Sequence, residues 1–108
     1  MQLTQAEITQ QNKHKYLISG TVDFLTVPGL MQRTTDFFKS YKPSAAEKVV
    51  IDMSQITDCN SAGLALMLEI VKQARANNIK LHFENLPDTL LTIAKAYGVE
   101  SEIRDICE

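Results

Sequence analysis

The stretch VVIDMSQITDCNSAGL, residues 49–64, decides the fold because it joins an uninterrupted apolar run to the start of a helix. The β-branched run VVI at its beginning is typical of a strand covered on both faces, as in a sheet with parallel neighbours. Residues 48–53 are therefore predicted to form the central strand. Apolar residues then recur at helical spacing over residues 61–78, so a polar loop is expected to lead from this strand into a helix.

The segments before this stretch predict two strands and a helix. Residues 15–23 carry strand-forming side chains around Gly20, where a bulge or a close backbone approach is expected. A weaker strand over residues 7–10 is predicted to precede them. Apolar residues at helical spacing follow Pro28, which suits a first helical turn, and Pro43 is expected to end that helix.

The segments after the stretch add one strand and one helix. Apolar and polar residues alternate over residues 79–84, which predicts a strand with one buried face. Pro87 and Asp88 are expected to open a helix, and Gly98 is a suitable left-handed stop for it. The resulting β-β-α-β-α-β-α order predicts one α/β domain over residues 1–108, with helices packed on a mixed sheet of four to five strands.

The amino-acid composition of the chain argues against several classes of protein. The chain has 108 residues, of which 44% are hydrophobic and 22% charged, so an ordinary folded domain is expected. Its net charge of -2 comes from interspersed acids and bases, which disfavours nucleic acid as a partner. No apolar run approaches the roughly 20 residues that span a bilayer, and the first residues lack the pattern of a secretory signal. A cytoplasmic protein is therefore expected.

Residues 49–64 resemble the signature of the STAS family, the domain shared by sulfate transporters and anti-sigma-factor antagonists. That signature is an apolar strand, Asp-x-Ser, a short loop, an acid, Ser or Thr, a small residue, and Gly-Leu opening a helix. The sequence SGTVD at residues 19–23 is similar to the family's early Gly-x-x-Asp turn. Within the family, AGLALML at residues 62–68 and LTIAKAY at residues 91–97 resemble the small STAS subunits of Mla-type phospholipid ABC transporters.

The resemblance implies a non-catalytic subunit that binds the ATPase subunit of a phospholipid ABC transporter and supports its assembly or activity in lipid transport and outer-membrane lipid asymmetry. Such a subunit would lie at the inner face of the inner membrane through its complex. Ser61 matches the family's phospho-acceptor or partner-contact position, with Asn60, Ala62 and Gly63 beside it. The alternative is an anti-sigma-factor antagonist regulated by phosphorylation of Ser61. Asn60 stands where the family commonly has Asp, which favours partner contact.

The helix that starts near Ser61 carries the candidate binding residues. The Ser61 hydroxyl is placed to cap the orphan N–H groups of the helix, and a phosphate there would meet the positive end of its dipole. Leu66 and Ile70 stand one turn apart at the flank of the main apolar stripe. Extra core packing is the simpler interpretation of the pair, and a docking surface that includes Leu66 and Ile70 is the alternative prediction.

The polar residues near the end of the central strand are weaker candidates for a catalytic role. Asp52 and Ser54, close to a loop carrying Asp58, suggest acid-base or nucleophilic work, but turn-forming hydrogen bonds that support the loop are favoured. His14 and His82 have no ligand spacing and are expected to be surface residues. The remaining titratable candidates, Cys59 and Cys107, are expected to be ordinary reduced thiols. No catalytic residue, cofactor or metal is therefore predicted.

Overall fold

The computed structural model describes residues 6–40 and 48–105. Within them the predicted β-β-α-β-α-β-α order is confirmed, and one short helix follows it. The elements are β1 (Ala6–Gln10), β2 (Lys15–Val22), α1 (Val27–Ser40), β3 (Val49–Cys59), α2 (Ser61–Ala76), β4 (Leu81–Glu84), α3 (Asp88–Ala96) and α4 (Glu100–Asp105). The helix α4 was not predicted, because its six residues offer too few apolar positions to show a period; Ile103 is fully buried.

The four strands form a single mixed sheet in the order β1-β2-β3-β4. The strand β1 is antiparallel to β2, whereas β3 runs parallel to both of its neighbours, β2 and β4. The apolar run at the start of β3 thus lies between two parallel strands, as predicted. The helix α1 connects β2 to β3 and α2 connects β3 to β4, so right-handed crossovers place both helices on one face of the sheet.

The strand β3 is longer than predicted, because its pairing with β2 continues to the pair formed by Val22 and Cys59. The register shifts twice along β2, and one shift follows Gly20, whose φ of 93° confirms the irregularity expected there. Residues 54–58 are mostly polar and exposed, which hides their strand conformation from an apolar pattern. The expectation of a loop carrying Asp58 is therefore wrong, since this residue is still in the strand.

The ends of the later helices follow the sequence signals. Asn77 is the cap that ends α2, and Pro87 lies immediately before α3. Gly98 has a φ of 75° just after α3, which is the left-handed conformation that glycine adopts without strain. The predicted stop of α1 at Pro43 lies outside the described residues. Among the helices, α2 contacts both α1 and α3.

Candidate partner-binding site

The candidate site lies where β2 and β3 end and α2 begins. Val22 and Cys59 are paired at the carboxyl ends of these two parallel strands. The backbone N–H of Asn60 donates to the carbonyl oxygen of Val22 over 3.3 Å. Ser61, the first residue of α2, is thereby held beside the turn that leads from β2 into α1. The sheet thus fixes the position of the residue that the sequence singled out.

The cap of α2 is Asn60, and not Ser61 as expected. The Asn60 side-chain oxygen accepts the N–H of Ala62 over 2.9 Å, and its carbonyl oxygen accepts the N–H of Gly63 over 2.9 Å. Asn60 can act in this way because its backbone is extended, with φ −124° and ψ −163°, whereas Ser61 already belongs to the helix. An amide therefore does the capping that Asp would do, without adding a negative charge.

Ala62 and Gly63 are buried and anchor the start of α2. A Cβ atom built on Gly63 would lie 3.4 Å from Leu90 Cδ1, 3.6 Å from Cys59 Cβ and 3.7 Å from Val22 Cγ1. The backbone at Gly63 thus packs closely on both strand ends and on α3. These two residues lie too deep to contact a partner directly in this conformation, and what they fix is the position of Ser61.

Leu66 and Ile70 lie in the hydrophobic core, each with 0% of its surface exposed. The exposed positions that the docking prediction required are therefore not found. The cause is the placement of α2, which packs on the sheet and has α1 on one side and α3 on the other. Both flanks of its apolar stripe are covered, so the wide stripe reflects core packing.

One narrow side of α2 does reach the surface. Ser61 is half-buried, Ala65 and Lys72 are exposed, and Leu68 has 41% of its surface exposed. Steps of four, three and four residues separate these positions, so they form a single row along the helix. We call Ser61, Ala65, Leu68 and Lys72 the α2 stripe. Its first three members are small or apolar, which is unusual for an exposed helix side.

The turn between β2 and α1 adds two exposed apolar side chains. Phe24 and Leu25 have 69% and 84% of their surface exposed. The turn is well defined, because the Asp23 carboxylate accepts the N–H groups of Leu25 and Thr26 over 2.9 and 3.1 Å. The Thr26 hydroxyl in turn donates to the carbonyl oxygen of Thr21 over 2.8 Å. The sequence reasoning missed this pair, although two adjacent apolar residues in a turn are themselves a signal.

The carboxylates of β3 do not converge on a catalytic pair. Asp52 and Asp58 are separated by six residues of one strand, roughly 20 Å at the usual rise. The Asp52 carboxylate accepts the N–H of Ser54 over 2.9 Å and the amide of Asn85 over 3.1 Å, and Lys15 Nζ lies 3.8 Å away. Burial alone would raise the pKa of Asp52, but these hydrogen bonds and the Lys15 charge lower it. Asp52 thus makes hydrogen bonds within β3 and to Asn85, and not in the loop where turn-forming bonds were expected.

Other titratable groups lie elsewhere in the fold. His14 precedes β2 and His82 belongs to β4; both are half-buried, whereas surface positions were expected. His82 Nε2 lies 4.0 Å from the Glu84 carboxylate on the same strand. Burial and the neighbouring Asp58 raise the pKa of the buried Cys59 thiol, and Cys107 is outside the described residues. Among residues 6–40 and 48–105, no cluster of three or more His, Cys, Asp or Glu side chains is arranged to hold a metal ion.

None of the helices in the described part of the chain is both long enough and apolar enough to cross a bilayer.

Comparison with known proteins identifies the fold. The STAS domain family model matches residues 5–108. Three solved structures are similar to the chain. The anti-sigma factor antagonist SpoIIAA, in its unphosphorylated form, is 12% identical with a TM-score of 0.67, and the match covers 95% of this chain and 85% of SpoIIAA. A chain of the Acinetobacter MlaFEDB complex, in an ATP-bound conformation, is 21% identical with a TM-score of 0.73, covering 90% of this chain and 96% of that one.

The third structure is a sulfate transporter family protein from Wolinella succinogenes. It is 14% identical with a TM-score of 0.63, and the match covers 87% of this chain and 74% of that protein. At these identities the three likenesses show a shared fold.

Proposed function

The chain belongs to the STAS domain family, and from that premise we propose that it is a non-catalytic subunit that docks onto the ATPase subunit of a phospholipid ABC transporter. It supports the assembly or activity of that ATPase at the cytoplasmic face of the membrane, in lipid transport and lipid asymmetry. The likeness to a chain of the MlaFEDB complex and the sequence resemblance over residues 62–68 and 91–97 support this partner.

The observation that carries the proposal is the α2 stripe. Ser61, Ala65 and Leu68 expose small and apolar surface on a helix whose larger apolar residues, Leu64, Leu66, Met67 and Ile70, are buried. Small side chains let a partner helix or loop approach closely, and a partly exposed leucine supplies apolar area that binding removes from water. Phe24 and Leu25 are exposed at the same end of the domain as Ser61. This follows because Val22, at the end of β2, is hydrogen-bonded to Asn60, the residue before Ser61.

The site supports binding rather than chemistry. The Asn60 side chain is engaged in the helix cap, and the two β3 carboxylates are too far apart to act on one bond. No hydrogen bond joins the Ser61 hydroxyl to another residue within the described ranges, so a partner group can bond to it. ATP hydrolysis is therefore assigned to the partner chain.

Co-purification of the chain with its ATPase subunit tests the proposal. Ser61→Arg and Leu68→Glu each place a charge in the proposed contact, and a charge desolvated without a partner costs several kcal/mol, about 2–5. Each variant is expected to lose the complex while keeping the melting temperature of the isolated subunit. Leu68→Met, which conserves volume, and Thr9→Glu, on the exposed side of β1, are the matched controls. Retention of the complex by both folded charge variants would remove the α2 stripe as the site.

A second candidate, an anti-sigma-factor antagonist, rests on the accessibility of Ser61. The residue is half-exposed at a helix start, where a phosphate adds roughly one and a half to two negative charges. Asn60, which stands where the family commonly has Asp, counts against this second candidate. Intact mass measurement on protein from its own cells separates the two functions. Stoichiometric phosphate that disappears in Ser61→Ala supports the switch, whereas unmodified protein in complex with an ATPase supports the docking subunit.

A further inference from the structure

Phe24 and Leu25 are the two most exposed large hydrophobic side chains among residues 6–40 and 48–105. They are adjacent in the turn between β2 and α1, and we call them the apolar pair. A single exposed apolar residue is common on protein surfaces. Two adjacent ones, at the end of the domain where the α2 stripe begins, form apolar surface that the packing of this chain does not use.

The backbone that carries the apolar pair is fixed by hydrogen bonds on both sides of it. Asp23 and Thr26 bond to each other reciprocally: the Asp23 N–H donates to the Thr26 hydroxyl oxygen over 2.9 Å, and the Asp23 carboxylate accepts the Thr26 N–H over 3.1 Å. The N–H of Val27 also donates to the carbonyl oxygen of Asp23 over 3.0 Å. Because the turn is already ordered, binding through the pair costs little backbone freedom. Large apolar side chains on such a turn suit the core of an interface.

The surface between the apolar pair and the α2 stripe has acidic groups and no basic ones. Residues 16–32 and 49–71, which form most of β2, the first turns of α1, β3 and most of α2, contain no Lys or Arg. Asp58 is exposed near the end of β3, where its partner on β2 is Thr21, and among the described residues it takes part in no ion pair. Arg33 lines a groove on the β1 side of β2, whereas Asp58 lies on the β3 side, from which α2 begins.

This charge pattern favours a protein over a membrane as the occupant. Apolar side chains that insert into lipid are accompanied by Lys or Arg, which anionic headgroups attract. Asp58 would instead be repelled by such headgroups. An exposed carboxylate beside apolar surface complements a protein surface that offers an apolar pocket with a cation at its rim.

We propose that Phe24 and Leu25 insert into an apolar pocket of the ATPase subunit, and that a Lys or Arg at the rim of this pocket pairs with Asp58. The inference rests on the proposed function and adds to it the chemistry of the partner's surface. The α2 stripe then supplies close contact along a helix, whereas the apolar pair supplies the anchor. Asp58 steers the association of the two chains, since opposite charges raise the rate of encounter.

Binding of the purified chain to the purified ATPase subunit of a phospholipid ABC transporter from the same organism tests the anchor. Phe24→Ala and Leu25→Ala should each weaken the complex by about tenfold to a hundredfold, because each removes a side chain that binding buries. The melting temperature of the isolated chain should not fall, since both side chains are exposed. Tyr97→Ala is the matched control, because Tyr97 is an exposed aromatic residue at the end of α3. It should bind as tightly as the native chain.

The rate of association at increasing salt tests the role of Asp58. The native chain should associate more slowly as salt screens the pair of opposite charges. Asp58→Asn should flatten this dependence, and Asp58→Lys should slow association on the order of tenfold at low salt. Asp36→Asn, which removes an exposed carboxylate further along α1, is the control and should keep the native salt dependence.

The results separate this inference from the function on which it rests. A complex that Leu68→Glu abolishes but that Phe24→Ala and Leu25→Ala leave unchanged overturns the anchor, while the docking function stands. A native chain that does not bind the ATPase overturns both. Two further results overturn the anchor by giving the apolar pair another occupant. One is binding of phosphatidylglycerol vesicles that Phe24→Ala abolishes, which indicates a membrane. The other is a native dimer in analytical ultracentrifugation that Phe24→Ala dissociates, which indicates a second copy of the chain.

Discussion

The buried and exposed sides of α2 predict opposite responses from two leucines two residues apart. Leu66 has 0% of its surface exposed, whereas Leu68 has 41% exposed. Replacing Leu66 by Ala removes buried methyl groups and leaves a cavity between the sheet and the neighbouring helices, which costs about 2–5 kcal/mol of unfolding free energy. The same change at Leu68 removes side-chain atoms that are partly in water, so a loss of about 1 kcal/mol or less is expected.

The difference between the two losses is large compared with the stability of the whole domain. Domains of this size have an unfolding free energy of about 5–15 kcal/mol, and a loss of 1 kcal/mol lowers the melting temperature by roughly 4–8 °C. Leu66→Ala should therefore melt about 10–25 °C below the native chain, and Leu68→Ala within about 8 °C of it. Urea unfolding followed by circular dichroism gives the free energies, and equal slopes show that the two-state comparison is valid. Equal losses of unfolding free energy at the two positions would refute the assignment of Leu66 to the buried side of α2 and of Leu68 to its exposed side.

Three further changes test the local physics at Asn60, Asp52 and Gly29. Asn60→Ala should lower the unfolding free energy by about 1 kcal/mol through loss of the α2 cap, whereas Asn60→Asp should keep it; urea unfolding distinguishes them. Asp52→Ala should cost about 1–2 kcal/mol at pH 7, because the lowered pKa of Asp52 means that the folded state favours the carboxylate. That cost should be present above the usual pKa of Asp and fade as the pH falls through the lowered pKa of Asp52. Gly29→Ala should stabilise the chain by about 0.5–1 kcal/mol, whereas Gly98→Ala, at a φ of 75°, should destabilise it by a similar amount in the same assay.

The sequence contained enough information for the fold because its strongest signals are local. The apolar run at the start of β3, the alternation in β4 and the glycine after α3 each reflect one physical requirement, and each was confirmed. The far half of β3 was missed because its strand conformation comes from pairing with β2. Polar residues such as Ser54 and Asp58 resemble a loop when the neighbouring strand is unknown.

The binding surface was predicted less well, for a geometric reason. A helical period shows which residues share a side of a helix, but it does not show how many neighbours cover that side. Leu66 and Ile70 were assigned to a possible surface, and α1 and α3 bury them. Ser61 was correctly predicted to lie at the start of α2. The residue that caps the helix is Asn60, because the backbone of Asn60 is extended whereas Ser61 already belongs to the helix.

The most direct test of the proposed docking is site-specific photocrosslinking in living cells. A photoreactive amino acid at position 68 places the reactive group in the middle of the α2 stripe, and the same group at position 9, on the exposed side of β1, is the control. The account predicts that irradiation joins position 68 to the ATPase subunit of a phospholipid ABC transporter, and that position 9 gives no such product. A crosslink from position 68 to a kinase or anti-sigma factor in place of the ATPase would contradict it, as would an ATPase crosslink formed from position 9 and absent from position 68.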